Sequence, residues 1–364
     1  MYIALAVAAI AVAAALTIAV IPLVRRMAAR AQLVAEPDPS RYHRTPTPLG
    51  GGVAMLAAIV LPSAAAMACA WVWSSAGPPD WLGGGVAIHV AGAAMRIPMA
   101  LTILAGAAVL CLVGLVDDRL ALGPWLKLTA QLAVAAGVVI GADIRVLTMI
   151  GEPGSTIVSI LWLVGITNAM NFMDNMDGLA AGVTLICAAA LLAAAAGMGQ
   201  LFVAGWLCLL IGATAGFLVF NFPPARIFMG DAGSLVLGYM LGVLSMLTTY
   251  YDPVAVTGSR IYGLLLPVVL LAVPLYDFIS VMWIRLRNGK KLMVGDTNHF
   301  SHRLRRRGMS VRASVLTVYL CTAVTGLAAM LLPHVRGLAA WLVAGQTLGV
   351  LGIIALLESA DAKS

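Results

Sequence analysis

Apolar runs follow one another along almost the whole chain, separated by short polar segments. The pattern predicts helical spans at 3–24, 51–73, 98–116, 126–143, 156–170, 179–197, 200–220, 232–250, 261–284, 311–332 and 339–357. About 20 apolar residues cross the hydrocarbon layer as a helix, and these runs lack the strict alternation of a membrane barrel. The expected fold is therefore all-α: a polytopic integral membrane protein of about eleven transmembrane helices, forming one membrane-embedded domain over residues 1–364. The span at 156–170 is short and runs directly into polar residues. No internal repeat, long linker or soluble domain is visible. The first run, from Ile3 to Leu23, has no basic residue before it, so it reads as an uncleaved span and not as a signal peptide.

Composition agrees with that pattern. The chain is 62% hydrophobic and only 10% charged, with a mean hydropathy of +1.00, against roughly 25% charged residues in soluble domains. Cys69, Cys111, Cys187, Cys208 and Cys321 all lie in apolar runs without C-x-x-C spacing, which argues against disulfides and a thiolate metal site. Net charge is +7. With the N-terminus outside, 18 of the 22 lysines and arginines fall on inner segments. That asymmetry places the C-terminus and the basic rim in the cytoplasm. The charge is explained by topology and by attraction to anionic membrane lipid, and implies no nucleic acid partner.

Five polar stretches interrupt the pattern, all on the inner side of this map: HRTPTPLGGG at 43–52, VDDRLALGPWLK at 116–127, NAMNFMDNMDG at 168–178, NFPPARIFMGDAGS at 221–234 and GDTNHFSHRLRRR at 295–307. Asn168, Asn171, Asp174 and Asp177 recur every three residues, which on a continuous helix would align them along one face. Asp117, Asp118, Asp174, Asp177 and Asp231 at one rim would repel one another unless a cation neutralised them. A hard divalent ion with oxygen ligands, Mg²⁺ above all, answers that need. Lys127, His299, His302, Arg303 and the arginines at 305–307 suit an anionic substrate. Backbone N–H groups at Gly50–Gly52, Gly230 and Gly233 suit phosphate oxygens. Together these suggest phosphoryl transfer onto a lipid phosphate.

Each element also has a plainer explanation. Paired aspartates at the end of a span can be a solvated stop, Gly50–Gly52 a turn, and Gly230–Ser234 a helix cap. His299 and His302 can be exposed side chains of a basic loop. The Asn/Asp cluster resists such an account, because unsatisfied polar groups in lipid cost several kcal/mol. So does Asp277, inside the ninth span after Pro267 and Pro274, where a broken helix facing protein or water is expected.

As a set, GLVDDR, NAMNFMDNMDGLAAG, NFPPARIFMGDAGSLVLGY, the PLYD segment at 274–277 and DTNHFSHRL resemble the polyprenyl-phosphate N-acetylhexosamine-1-phosphate transferases (glycosyltransferase family 4). The phospho-N-acetylmuramoyl-pentapeptide transferases belong to the same family. The resemblance runs in order from Arg44 to Arg303. It implies transfer of a sugar-1-phosphate from a UDP-N-acetylhexosamine to undecaprenyl or another polyprenyl phosphate, with release of UMP and dependence on Mg²⁺, or on Mn²⁺ in its place. By resemblance, Asp231 and Asn171 hold the metal, Lys127 contacts phosphate, and Asp117 and Asp118 orient or deprotonate the lipid phosphate, with Asp177 also in the catalytic set. Asp174, Asn168, Asn221, Phe228 and Thr47 line the nucleotide side. His299, His302 and Arg303 cover the diphosphate and sugar. The enzyme would sit in the cell membrane with its site facing the cytoplasm, and any homodimer would use outer spans such as the first or last.

Two departures bear on the branch. The family usually has glycine between the two aspartates where this chain has Asn175-Met176, and the muramoyl-pentapeptide branch usually has three consecutive histidines where this chain has HFSHR. The second favours the N-acetylglucosamine-1-phosphate branch, which starts envelope glycans such as O-antigen or teichoic acid. A membrane transporter is the alternative of another class, since proline-broken helices with intramembrane Asp and Asn also mark transporters. Against it, every carboxylate but Asp277 lies at a rim and no repeat is visible.

Overall fold

The computed structural model describes residues 1–36, 46–248, 260–291, 298–335 and 337–359. Helices α1 (Tyr2–Arg30), α2 (Gly51–Ala76), α3 (Gly84–Ala87), α4 (Val90–Met95), α5 (Ile97–Leu120), α6 (Pro124–Gly141), α7 (Glu152–Met173) and α8 (Leu179–Gly197) are followed by α9 (Leu201–Asn221) and α10 (Asp231–Thr248). Next come α11 (Arg260–Leu270), α12 (Ala272–Arg287), α13 (Phe300–Arg306), α14 (Val311–Leu331) and α15 (Leu338–Ser359). A short hairpin, β1 (Val34–Ala35) with β2 (Thr47–Pro48), is antiparallel and contains all the strand among the described residues. Ten of the described helices are long and apolar enough to cross a membrane. The protein is a polytopic all-α membrane protein.

The differences from the expected spans lie at the polar ends. The segment expected at 261–284 is two helices, α11 and α12, separated at Leu271 between Pro267 and Pro274, as proline's missing N–H and its clash with the preceding turn require. The short run at 156–170 is a 22-residue helix reaching Met173, because Asn168 and Asn171 lower its hydropathy without breaking it. Helix α5 continues to Leu120 and so includes Asp117 and Asp118. Of the five polar stretches, residues 43–45 and 295–297 lie outside the described residues.

Helix α10 forms the centre. Every residue in it except Asp231 and Leu247 is buried, and it packs against α2, α5, α7 and α8. A helix apolar on all sides belongs inside a bundle, which leaves its polar first residue at the rim. Helix α1 packs on α9 and α2, α14 on α8 and α11, and α12 on α7. Large apolar side chains such as Ile3, Leu161, Leu320 and Leu356 are exposed on the outside, as lipid-facing surfaces require.

Candidate active site

Two prolines and a left-handed residue bring the first group together. Helix α5 ends at Ala121 in the αL region, and Pro124 starts α6 within its first turn, a position where the missing N–H costs nothing. This tight reversal sets Lys127 beside the last turn of α5. Its Nζ lies 2.9 Å from Asp117 Oδ2 and 2.8 Å from Asp231 Oδ2. Asn171, one turn from the end of α7, donates through Nδ2 to Asp231 Oδ1 at 3.0 Å and to Ser234 Oγ at 2.8 Å. Four helices thus meet around one ammonium group.

The adjacent aspartates of α5 do different things, as residues about 100° apart on a helix must. Asp118 turns toward the start of α10, where its two oxygens accept from the N–H groups of Asp231 (2.9 Å) and Ala232 (3.4 Å). It supplies the negative charge that a helix N-terminus favours. Asp117 turns toward Lys127, and its Oδ1 is buried with no hydrogen-bond partner among the described residues. Three carboxylates against one ammonium leave a formal charge of −2 in this group (three negative, one positive). A buried carboxylate oxygen without a donor, in a site of excess negative charge, fits a hard oxygen-seeking dication. No cluster of three His, Cys, Asp or Glu among the described residues is spaced to hold a metal. The site is thus no closed protein cage, in keeping with an ion that takes one or two protein oxygens and completes its shell with substrate phosphate.

Of the Gly amides expected to cradle phosphate, those of Gly51, Gly52 and Gly233 are engaged within the protein. Gly51 and Gly52 donate their N–H groups to the carbonyls of Phe228 (3.0 Å) and Met229 (3.1 Å), while Phe228 N–H donates to Pro48 O at 2.9 Å. These bonds tie α2, with buried Thr47 beside it, to the loop before α10. At the other Gly pair, Gly233 and Ser234 donate to Gly230 O, and Asp118 takes the free amides. Buried backbone N–H groups must be paired, and the protein itself pairs those of Gly51, Gly52 and Asp231–Ser234.

Nor do the four residues of NAMNFMDNMDG share one helical face. Helix α7 ends at Met173 with Asp174 as its C-cap, so only Asn168 and Asn171 lie on it. Asn168 pairs with Gln131 of α6 through both amide groups and also donates to Val164 O; it joins two helices. Asp177 Oδ2 accepts from Ala225 N–H at 2.9 Å. Asn221 is buried, accepting from Gly178 N–H (3.0 Å) and donating to Ile227 O (2.9 Å). Asn221 and Asp177 therefore hold the loop at 174–178 against the loop at 222–230. Gly178 stands at φ +75° as the N-cap of α8, a conformation that favours glycine. Phe228 and Asp174 are half-buried beside these loops.

The histidine group comes from α12 and α13. Asp277 is 1% exposed. Its Oδ2 pairs with His299 Nδ1 at 2.8 Å, and its Oδ1 accepts from Phe300 N–H at 2.6 Å at the start of α13. The broken helix expected around Asp277 thus presents it to protein. His302 is also buried, with its ring 6.1 Å from that of His299. Arg303 pairs with Glu358 of α15 at 2.9 Å and donates to Ser280 at 2.9 Å. Phe172 joins the two groups. Its ring meets His299 edge-on at 5.6 Å and has the Arg285 guanidinium 5.0 Å from its centre, while the neighbouring Asn171 reaches Asp231.

Sequence reasoning missed Ser234, Gln131, Arg285 and Glu358. Ser234 carried a signal, three residues after Asp231 and hence above it on a helix. The others make contacts across at least 37 residues of chain and have no local signature.

A polytopic helical bundle with a carboxylate–lysine group and a histidine group at one rim defines a membrane enzyme acting at the lipid boundary. Residues 100–249 match the pattern described as glycosyl transferase family 4. The chain is 30% identical to a probable undecaprenyl-phosphate N-acetylglucosaminyl 1-phosphate transferase of Bacillus subtilis, over 87% of this chain and 82% of that protein. It is 34% identical to the decaprenyl-phosphate N-acetylglucosaminephosphotransferase of Mycobacterium tuberculosis, over 93% and 86%. A phospho-N-acetylmuramoyl-pentapeptide-transferase of Heliobacterium modesticaldum is 38% identical over 38% of this chain and 49% of that protein. The chain belongs to glycosyl transferase family 4.

Proposed function

We infer that the protein transfers N-acetylglucosamine-1-phosphate from UDP-N-acetylglucosamine to a polyprenyl phosphate, releasing UMP, at the cytoplasmic face of the cell membrane. The observation that carries this reading is the Asp117–Lys127–Asp231 group at the rim of a lipid-facing bundle, in a chain similar over most of its length to proteins named for this transfer.

An oxygen of the lipid phosphate attacks the sugar-bearing phosphorus of the donor. A new phosphoanhydride forms, the old one breaks, and its electron pair leaves on UMP. One anhydride replaces another, so the protein supplies mainly position and charge neutralisation. A lipid phosphate whose second pKa is about 6 is largely ionised at neutral pH and does not require an obligatory base. Lys127 is a cation placed to meet a phosphate oxygen, and Asp118 acts by fixing the start of α10. Mg²⁺, with Mn²⁺ suited to the same oxygens, would be held by Asp117 through its free Oδ1 and by Asp231, with Asn171 orienting the latter. When bound, the ion would neutralise diphosphate charge. His302 and His299 stand on the donor side.

The test uses detergent-purified protein with undecaprenyl phosphate and either UDP-N-acetylglucosamine or UDP-muramoyl-pentapeptide, following UMP. The expected outcome is UMP from the first donor, lost with chelator and restored by Mg²⁺. UMP from the second donor alone would move the protein to the other branch of the family. Folded protein that releases UMP from neither would overturn the reading.

A further inference from the structure

Asn175, from the Asn175-Met176 pair between the two aspartates, and Ser301 of HFSHR touch each other. Ser301 is 1% exposed, and its hydroxyl meets Asn175 Oδ1 across 126 residues of chain. The direction of the bond is fixed by chemistry. Asn175 Nδ2 lies 2.7 Å from the carbonyl oxygen of Phe172, which only accepts, so the amide nitrogen must face Phe172 and the amide oxygen must face Ser301. The serine hydroxyl is then the donor. A chain of two bonds runs from the last turn of α7 through Asn175 to α13.

We propose that Asn175 and Ser301 are positioning residues which dock the histidine-bearing helix α13 onto the loop at 174–178 and so set where His299 and His302 meet the sugar-nucleotide donor. Helix α13 has only seven residues, too few to stay helical unaided. It depends on ties to its neighbours, each reaching a different element. Asp277 fixes its N-terminus from α12, Glu358 reaches Arg303 from α15, and Asn175 reaches Ser301 from the polar loop. The last connects α13 by a hydrogen bond to the loop that follows α7, the helix that carries Asn171 and through it reaches Asp231. The Phe172 ring and the packing of α12 on α7 are further links between the histidine group and the carboxylate group.

The assignment of donor positioning rests on the function proposed above, whereas the docking of α13 does not. Ser301→Ala, Asn175→Ala and the double variant are compared in the UMP assay, with amide hydrogen exchange of residues 300–306 measured alongside. Each single change is expected to lower kcat/KM for the UDP-sugar by about tenfold, as loss of a buried hydrogen bond does, with KM for the lipid phosphate unchanged. The double variant should be no worse than the poorer single one, because the two act through one bond. Exchange in α13 should rise about tenfold in Ser301→Ala while α12 keeps its protection. Additive losses, an unchanged donor kcat/KM, or an equal effect on the lipid substrate would overturn the donor role. Should the wild type release no UMP, the proposed function falls, and exchange alone decides the docking: faster exchange in Ser301→Ala upholds it and unaltered exchange overturns it.

Discussion

At the scale of single residues, the most informative contrast is between Asp117 and Asp118. The sequence shows an identical pair at a helix end, and nothing local tells them apart. The distinction comes from α10, more than a hundred residues away, whose first amides select Asp118 and leave Asp117 facing Lys127. Asp118→Asn replaces one of the two accepting oxygens by an NH₂ group that faces an N–H donor, so it should cost about 1–2 kcal/mol of stability, as an unsatisfied buried donor does. Asp117→Asn leaves those bonds intact and removes charge from the reactive group. It should lower kcat about 100-fold or more with little change in the thermal midpoint in detergent. Measuring both quantities for both variants decides the matter, and the opposite pattern, with Asp117→Asn unstable and Asp118→Asn merely inactive, would reverse the roles. What the sequence did reveal was that charged groups so rare in an apolar chain sit together for a reason. Lys127, Asp117, Asp231 and Asn171 do converge.

Among the elements, hydropathy located the long helices but not the ends that build the site. The recurrence of Asn168, Asn171, Asp174 and Asp177 continues past Met173 in sequence, yet the helix stops there. The following loop is held by Asn221, Asp177 and Ser301, partners that no local pattern discloses. The Gly-rich run at 50–52 misled for a related reason. Small residues at a helix start serve phosphate binding and close backbone packing equally well, and here they serve packing. The same economy appears at Gly114 of α5, where a Cβ would overlap the backbone of Asp231 and Ala232. Gly114→Ala must therefore push α5 away from the start of α10. Overpacking of this kind costs about 1–3 kcal/mol, and because the obstacle is backbone it cannot be relieved by a rotamer change. The expected result is a lower thermal midpoint together with a loss of turnover larger than the fraction unfolded explains, since the placement of Asp117 and Asp118 against Asp231 is what is disturbed. A variant with wild-type midpoint and rate would mean that α5 and α10 stand further apart than they do in this fold.

For the whole molecule, the remaining question is which way the bundle faces, and the distribution of charge supplies a testable proposal. Helix α2 starts at the site rim and α5 returns to it, so the turn at Asp80–Leu82 lies on the opposite rim. The site rim carries Arg25, Arg26, Arg30, Arg119, Lys127, Arg226, Arg285 and Arg287 among its described residues, whereas the opposite rim offers Arg96 and Arg145, the latter paired with Asp143 and Glu152. Tryptophans mark both boundaries: Trp73 and Trp81 stack edge-on at one, and Trp125 and Trp283 stand exposed at the other. Lysine and arginine are retained in the cytoplasm during insertion, and a UDP-sugar made in the cytoplasm can be used only from that side. On these two considerations we propose that the site faces inward. In a cysteine-free background, Leu120→Cys, at the exposed end of α5, should react with a membrane-impermeant thiol reagent in inverted vesicles and not in intact cells. Trp81→Cys, exposed on the other rim, should show the reverse. Reversed labelling of the pair would place the carboxylate–lysine group outside, away from any cytoplasmic nucleotide sugar, and the transfer reaction would lose its donor.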